Sequence, residues 1–289
     1  MAFAERLIDL TFTKAAGLFA QSQTNIIQLS GLRVQCSINN FSGVTSCEAQ
    51  LRILGMTEAH LIDLAAPNSA FMAQRAIKLE IRAGVAGAMD LIFSGAIATG
   101  QIDLNNQPDS ALVIIAQSGL LDNVIPAGST SYPKTTDHVS ILSYLAGKMG
   151  LAFVATGTPK MLNTPYIYGS YRDQVIRVVD AASVNFMIMN DTLYVWPRYG
   201  LVDSAAIRAQ APLISPDTGM VGYPTFSDLG VSVTTLFNSA LRPSQTVVIA
   251  STMQFANGAW NIYHASHELE SLTPNGKWFT HFDAQPFYE

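Results

Sequence analysis

From residue 25 to residue 117 the apolar positions fall in short β-branched runs rather than at helical spacing. "NIIQLSGLRVQCSINN", "VTSCEAQLRIL", "RAIKLEIRAG", "AMDLIFSGAIATGQID" and "SALVIIAQSG" are cut by Gly, Asn and Asp at short intervals, the pattern of successive strands joined by turns. One segment departs from it. In "GMTEAHLIDLAAP" Leu61 and Leu64 share a helical face, Thr57 is placed to cap it and Pro67 to end it. The leader over residues 1–24 holds a candidate helix near residues 4–19.

The period changes over residues 120–198. "TDHVSILSYLAGKMG" offers Asp137 as N-cap, Leu142, Leu145 and Met149 at helical spacing, and Gly150 as the stop. "GSYRDQVIRVVDAAS" pairs Ser170 with Asp173 three residues on, a capping box, ahead of Ile176 and Val179 on one face. "LAFVAT" reads as a strand between them, and "NFMIMNDTLYVWP" as a hairpin turning at Asn190 and Asp191. From about residue 211 strands return in "GVSVTTLFN", "SQTVVIAST", "QFANGAWNIYHASHELES" and "NGKWFTHFD", with Asn257-Gly258 and Asn275-Gly276 as hairpin turns.

The expected architecture is mainly β with an α/β insertion: two β-barrel domains flanking a small α/β domain. The boundaries are a leader over 1–24, a first barrel with one helical insert over 25–118, the α/β domain over 119–205 and a second barrel over 206–289. Two β units of similar size suggest duplication, although no convincing repeat is visible in the sequence.

Composition adds one constraint. Charged residues make up 13% of the 289-residue chain and hydrophobic ones 49%, against roughly 25% charged in an average soluble domain. Mean hydropathy is +0.24. Too few charges remain to cover an isolated monomer in the usual way, so much of the surface is expected to meet other protein. No run reaches the roughly 18 apolar residues of a spanning helix, so no membrane insertion is expected. "MAFAERLIDL", with Glu5, Arg6 and Asp9, is unlike a signal peptide and points to a cytoplasmic site of synthesis. Cys36 and Cys47, the only two cysteines, read as free thiols. Net charge is −5 with Lys and Arg scattered singly, which argues against tight nucleic-acid binding.

One stretch raises a chemical question. "NIYHASHELESL" holds His264, His267, Glu268 and Glu270 within seven positions; on a helix the two histidines would share a face and could hold zinc. The flanking Asn-Gly turns make it a strand, which sends His264 and His267 to opposite sides. With Asn275-Gly276 as a two-residue turn, Glu270 faces His281, Glu268 faces Asp283 and Leu269 faces Phe282. That register gives an acidic face, and an inner one holding Leu269, Phe282 and His267, while stranding Phe279 and Leu272 on the polar side. A zinc site from His281, Glu268 and Glu270 is the alternative, disfavoured against a surface Glu-His pair and a hydrogen-bonded inner histidine.

Other motifs are weaker still. "GVAGAMDLIFSG" lacks the phosphate-loop pattern and reads as strand turns. No G-x-S-x-G elbow is present. Asp103, Asp109 and Asp122 sit where Asp commonly serves the backbone. Trp196, Tyr199, Trp260, Tyr263, Trp278 and Phe279 fit core and subunit interface better than a ligand shelf. No catalytic, cofactor-binding or metal-binding residue is assigned, and no cofactor is expected.

With that plan in hand, "LISPDTGMVGYPTFSDLGVSVTTLFNSALRPSQTVVIAS" and "NGAWNIYHASHELESLTPNGKWFTHF" resemble the baseplate hub proteins of contractile-tailed bacteriophages. That group includes the phage protein D family and the N-terminal part of the type VI secretion spike protein VgrG. The resemblance covers about the last third of the chain; elsewhere only architecture and strand spacing agree. It implies a structural virion protein rather than an enzyme. In that family three copies with two related barrels each form a ring of six barrels, adapting a hexameric tail tube to a trimeric central spike. It further implies contacts with spike, tube or tube-initiator and other baseplate proteins, and a lumen that passes tape-measure protein and DNA without specific binding. The chain ends soon after the second barrel, so wall-cutting activity is expected to reside in a separate partner. Two alternatives remain: the hub of a tailocin or secretion particle, and a metal-dependent or hydrolytic enzyme using the His264–Glu270 and His281 cluster.

Overall fold

The computed structural model describes residues 5–65, 77–105, 110–124, 126–198 and 209–286. Pro67, Asp109 and Tyr199, singled out above, lie outside these residues.

The chain begins with a strand, not a helix. β1 (Arg6–Lys14) buries Ile8, Leu10 and Phe12 and exposes or half-exposes the residues between them, a period of two that suits a sheet and not a helix face. All nine of its residues pair with β5 (Ile77–Val85). The expected leader helix is therefore wrong: each apolar side chain of "LIDLTF" gains burial only when the segment extends along a neighbour.

After β1 come β2 (Ile26–Leu29), β3 (Arg33–Phe41), β4 (Glu48–Leu54), the helix α1 (Glu58–Leu64), β5, β6 (Ala88–Asp103) and β7 (Ala111–Gln117). Thr57 caps α1 by accepting from the His60 amide, and Leu61 and Leu64 are buried as the pattern requires. The glycine-rich stretch makes the β5–β6 hairpin, where Val85 pairs with Ala88 and Gly87 takes φ +85°, so its glycines serve a turn.

The middle of the chain holds α2 (Leu120–Val124), β8 (Pro126–Ser131), β9 (Thr136–Asp137), α3 (His138–Lys148), β10 (Ala152–Ala155), β11 (Met161–Leu162), β12 (Tyr166–Ser170), α4 (Tyr171–Ala182), β13 (Val184–Met189) and β14 (Thr192–Pro197). Its caps are those the residues call for. Asp137 accepts from the Ser140 amide, and Ser170 and Asp173 form a reciprocal capping box. Asn190 and Asp191 both take positive φ, 49° and 56°, in the two-residue β13–β14 turn, as a type I′ turn demands.

The last third carries β15 (Leu213–Ile214), β16 (Met220–Ser227), β17 (Gly230–Leu236), β18 (Thr246–Ile249), β19 (Gly258–Glu270) and β20 (Trp278–Gln285). Three large apolar cores follow this order: one under β1–β7, one between the helices and β13–β14, and one under β15–β20. The first and third cores are enclosed by one 13-stranded sheet, with the main order β16-β17-β20-β19-β3-β4-β7-β6-β5-β1-β2. The strand class is as expected, but among the described residues this order is open: no pairing closes either strand set into a barrel. The junction is β19 against β3, from His264 opposite Phe41 to Glu270 opposite Gln35.

Both C-terminal turns differ from the expectation. Asn257 has φ −72° and is not in a two-residue turn. Its amide side chain instead spans the loop, accepting from the Ser251 amide at 2.6 Å and donating to the Ser251 carbonyl at 3.0 Å. The β19–β20 loop is longer, with the Gly276 amide closing on the Thr273 carbonyl at 3.0 Å and Leu272 and Asn275 at positive φ. His264 consequently faces Asp283 and Leu269 faces Trp278. Because this register is displaced from the expected one by an even number of residues between His264 and Leu269, those side chains keep their faces, whereas the irregularity at Tyr263 turns Ile262 inward.

Candidate assembly surface

Eight strands of the large sheet, β16 through β6 in the order above, share a polar outer face. Alternation puts Gln35 and Ser37 of β3, Gln50 and Arg52 of β4, and Glu268 and Glu270 of β19 on that side. Several of them line a shallow open trough of about 330 Å³ that crosses the β19–β3–β4 junction, with Lys277 at its rim.

Most charges here are paired. Arg52 meets Asp103 at 2.6 Å and Lys277 meets Glu268 at 2.8 Å. The hydrogen bond from Lys277 holds the Glu268 carboxyl below its ordinary range, and the reverse effect raises Lys277. Asp103 is lowered by the Asn105 amide first and Arg52 second; it thus serves both the backbone and a neighbouring strand.

The histidines separate as the strand reading requires. His267 is 2% exposed, its Nδ1 lies 2.9 Å from Thr280 Oγ1, and burial pushes its pKa down to about 4. It also meets Phe237 edge-on with ring centroids 5.6 Å apart. His264 is on the other side, stacked on Phe41 at 4.6 Å and with Nδ1 2.9 Å from Asp283. A register irregularity at Tyr263 lies just before it. His281 Nδ1 is 2.9 Å from Thr234 Oγ1, while its Nε2 is 3.9 Å from Glu268. Among the described residues no group of three or more His, Cys, Asp or Glu side chains is placed to hold a metal ion. The alternative zinc set thus splits: Glu268 is engaged by Lys277 and His281 by Thr234.

The two thiols are free and buried, and burial pushes both pKa values up to about 12. Trp196 and Trp278 are buried in cores, and Trp260 packs on the C-terminal one while its Nε1 donates to the Ala256 carbonyl. Phe279, stranded on the polar face, is half-buried beside His281, whereas Leu272 is exposed in the loop.

Glu270, at the edge of the trough, has no ion-pair partner among the described residues. The chain matches the family described as baseplate hub gp41 over residues 11–278. It belongs to that family. The hub protein is therefore a component of a phage tail, and its family is structural. No curated protein matches the chain. Its fold is shared with the tail protein of Neisseria meningitidis MC58, at TM-score 0.62 and 8% identity, covering 96% of each chain. A 43 kDa tail protein of prophage MuSo2 from Shewanella oneidensis gives 0.59 and 8%, again with 96% of both chains covered. The Escherichia coli c3393 protein, a type VI secretion component described as similar to the T4 tail proteins gp27 and gp5, gives 0.57 and 10%, covering 89% of the hub protein and 74% of its own length. No helix among the described residues is long and apolar enough to cross a membrane.

Two features of the hub protein escaped sequence reasoning. One is the β16 edge of the eight-strand run, for which Gly222 and Pro224 in "TGMVGYPTF" were the available signal of a bulged edge strand. The other is the set of contacts that hold the middle region to the β1–β7 strands: Lys78 Nζ to Asp191 at 2.6 Å, Asn190 Nδ2 to the Leu91 carbonyl at 3.1 Å and Arg172 Nη2 to the Val44 carbonyl at 2.6 Å. No local pattern marks any of them.

Proposed function

We propose that the hub protein is a non-enzymatic ring component of a contractile phage baseplate, acting as a homotrimer. The observation that supports this reading is the eight-strand run, which takes β16, β17, β20 and β19 from one strand set and β3, β4, β7 and β6 from the other. Three copies would present six such four-strand units, a pseudo-sixfold ring on a threefold axis. One face of that ring can meet a hexameric tube or tube initiator, and the other a trimeric spike, without any chain changing its contacts.

The polar outer face suits a lumen. Its carboxylates are mostly paired within the sheet, and it carries no basic stripe, so tape-measure protein and DNA can slide past without counterion-releasing contacts. The charge-poor remainder is left for spike, tube and other baseplate proteins. Synthesis in the host cytoplasm followed by incorporation into the tail is the route this reading requires.

Size-exclusion chromatography with light scattering, followed by cryo-EM of the tail, tests the proposal. A trimer seated between tube and spike is expected; a stable monomer that binds neither spike nor tube protein would refute it.

A further inference from the structure

The charges of this chain are unevenly divided. Residues 120–198 hold six Lys and Arg against five Asp and no Glu, while the rest of the chain holds ten against sixteen Asp and Glu. The middle region is thus the part of an acidic protein that carries a positive balance. Four of its aspartates are engaged within the fold: Asp137 and Asp173 cap helices, Asp180 meets Arg198 at 3.2 Å and Asp191 meets Lys78 at 2.6 Å. Arg177, exposed on α4, makes no ion pair among the described residues.

That cation rests on a built aromatic surface. The Arg177 guanidinium lies 3.8 Å from the centre of the Tyr168 ring, and its Nε donates to the Tyr168 carbonyl at 3.3 Å. Tyr166 stands beside Tyr168 with ring centroids 5.7 Å apart, and the two tyrosines are 61% and 47% exposed. Strand alternation on β12 sends both outward, because Ile167 between them is buried in the core of the middle region. At the end of β12 the capping box of Ser170 and Asp173 fixes the strand to α4, so Arg177, one turn on from Asp173, is held over the ring. The ladder of Tyr166, Tyr168 and Arg177 is therefore in place before any partner arrives. Two things remain unspent on it: the Nη donors, which fit a carboxylate as a fork, and the open ring faces.

We propose that this ladder docks an acidic segment of another tail protein. An Asp or Glu carboxylate of that segment meets Arg177, and an apolar or aromatic side chain next to it stacks on Tyr166. The division of charge supports an acidic partner: the two β regions repel it and the middle region attracts it, so its encounters are steered to this face. A nucleic-acid backbone fits less well, since the ladder carries one cation where a phosphate chain needs a row of them. The inference rests on the chain's place in a tail and not on its trimeric state.

The test is a photo-cross-link in tails assembled with the full chain, Tyr166 being replaced by photo-reactive benzoylphenylalanine. Irradiation should join position 166 to another tail protein, and mass spectrometry of the joined peptide should find Asp or Glu beside the point of attachment. Arg177→Glu should lower the yield of that product and the incorporation of the chain into tails by about tenfold or more. Arg177→Lys, which keeps the charge and loses the fork, should fall between the two. Both side chains are exposed, so the circular dichroism and melting temperature of the purified variants should match those of the parent. A product joined only to this chain or to DNA overturns the proposal, as does a joined peptide without acidic residues, or no product at all. Incorporation of Arg177→Glu at the parent level overturns it too. None of these results bears on the trimer, which light scattering of the purified chain reads separately.

Discussion

Arg172, at the start of α4, reaches across 128 positions of sequence to donate from Nη2 to the Val44 carbonyl at 2.6 Å. Arg172 is 4% exposed, and its guanidinium lies over the Phe186 ring at 5.7 Å. Close by, the Gly43 amide donates to the Phe186 carbonyl at 2.7 Å, so one buried cation and one backbone bond tie the middle region to the β3–β4 loop. Replacing Arg172 with Met keeps the stem and removes the charge-assisted bond. Urea unfolding should show a loss of about 1–2 kcal/mol, together with a further rise in the pKa of Asp122, whose charge Arg172 stabilises.

Two groups give stability opposite dependences on pH. Burial raises Asp122 to about 6. The folded chain therefore holds its proton where the unfolded chain has lost it, and this contribution to stability declines as pH rises from about 4 to 6. Asp122→Asn should flatten that slope and stabilise the protein at pH 7 by on the order of 1 kcal/mol, the gain being limited by solvent screening at the partly exposed α2.

His267 acts the other way. Burial lowers it to about 4, so the unfolded chain takes up the proton first. Stability is lost as pH falls from about 6.5 to 4, by about 3 kcal/mol in all. His267→Gln, which can still reach Thr280, should remove most of this acid sensitivity in unfolding curves measured at pH 4.5 and pH 7.

The thiols give a direct reading of core integrity. With Cys36 and Cys47 both buried and raised to about 12, neither supplies thiolate to a reagent in the folded state. Ellman's reagent should find no reactive thiol in the native protein and two after unfolding in guanidinium. A thiol that reacts at the native rate of an exposed cysteine would show that its core opens.

Gly230 opens β17 at φ +149°, and a Cβ there would lie 2.1 Å from the Ala284 carbonyl oxygen. Since Val231 pairs with Ala284, any side chain must force β17 and β20 apart. Gly230→Ala should destabilise by about 2–4 kcal/mol, seen as a lower melting temperature.

Much of this molecule was legible before its structure. Ser170 with Asp173, Asp137 before "HVSILSYL" and Asn190-Asp191 between two apolar runs each specify a local geometry through their own hydrogen bonds and backbone preferences, and each was found there. The candidate site was legible only in its faces. His264 and His267 separate on a strand whatever its partners, but which residue stands opposite Asp283 depended on how many residues the loop at Asn275 consumes. The β1 strand was misread because "AERLIDLTF" satisfies helical and strand periods alike, and only β5 beside it decides between them.

The sequence by itself determined the strand and helix types over most of the chain and the sides that most side chains take, because these follow from local propensity and from a two- or 3.6-residue period. Tertiary structure alone decided that β19 crosses to β3, pairing His264 with Phe41 across more than 200 positions and joining the first and last strand sets in one sheet. Backbone pairing carries no side-chain code. A strand's neighbour is chosen by which arrangement buries all the cores at once, and that is a property of the whole chain.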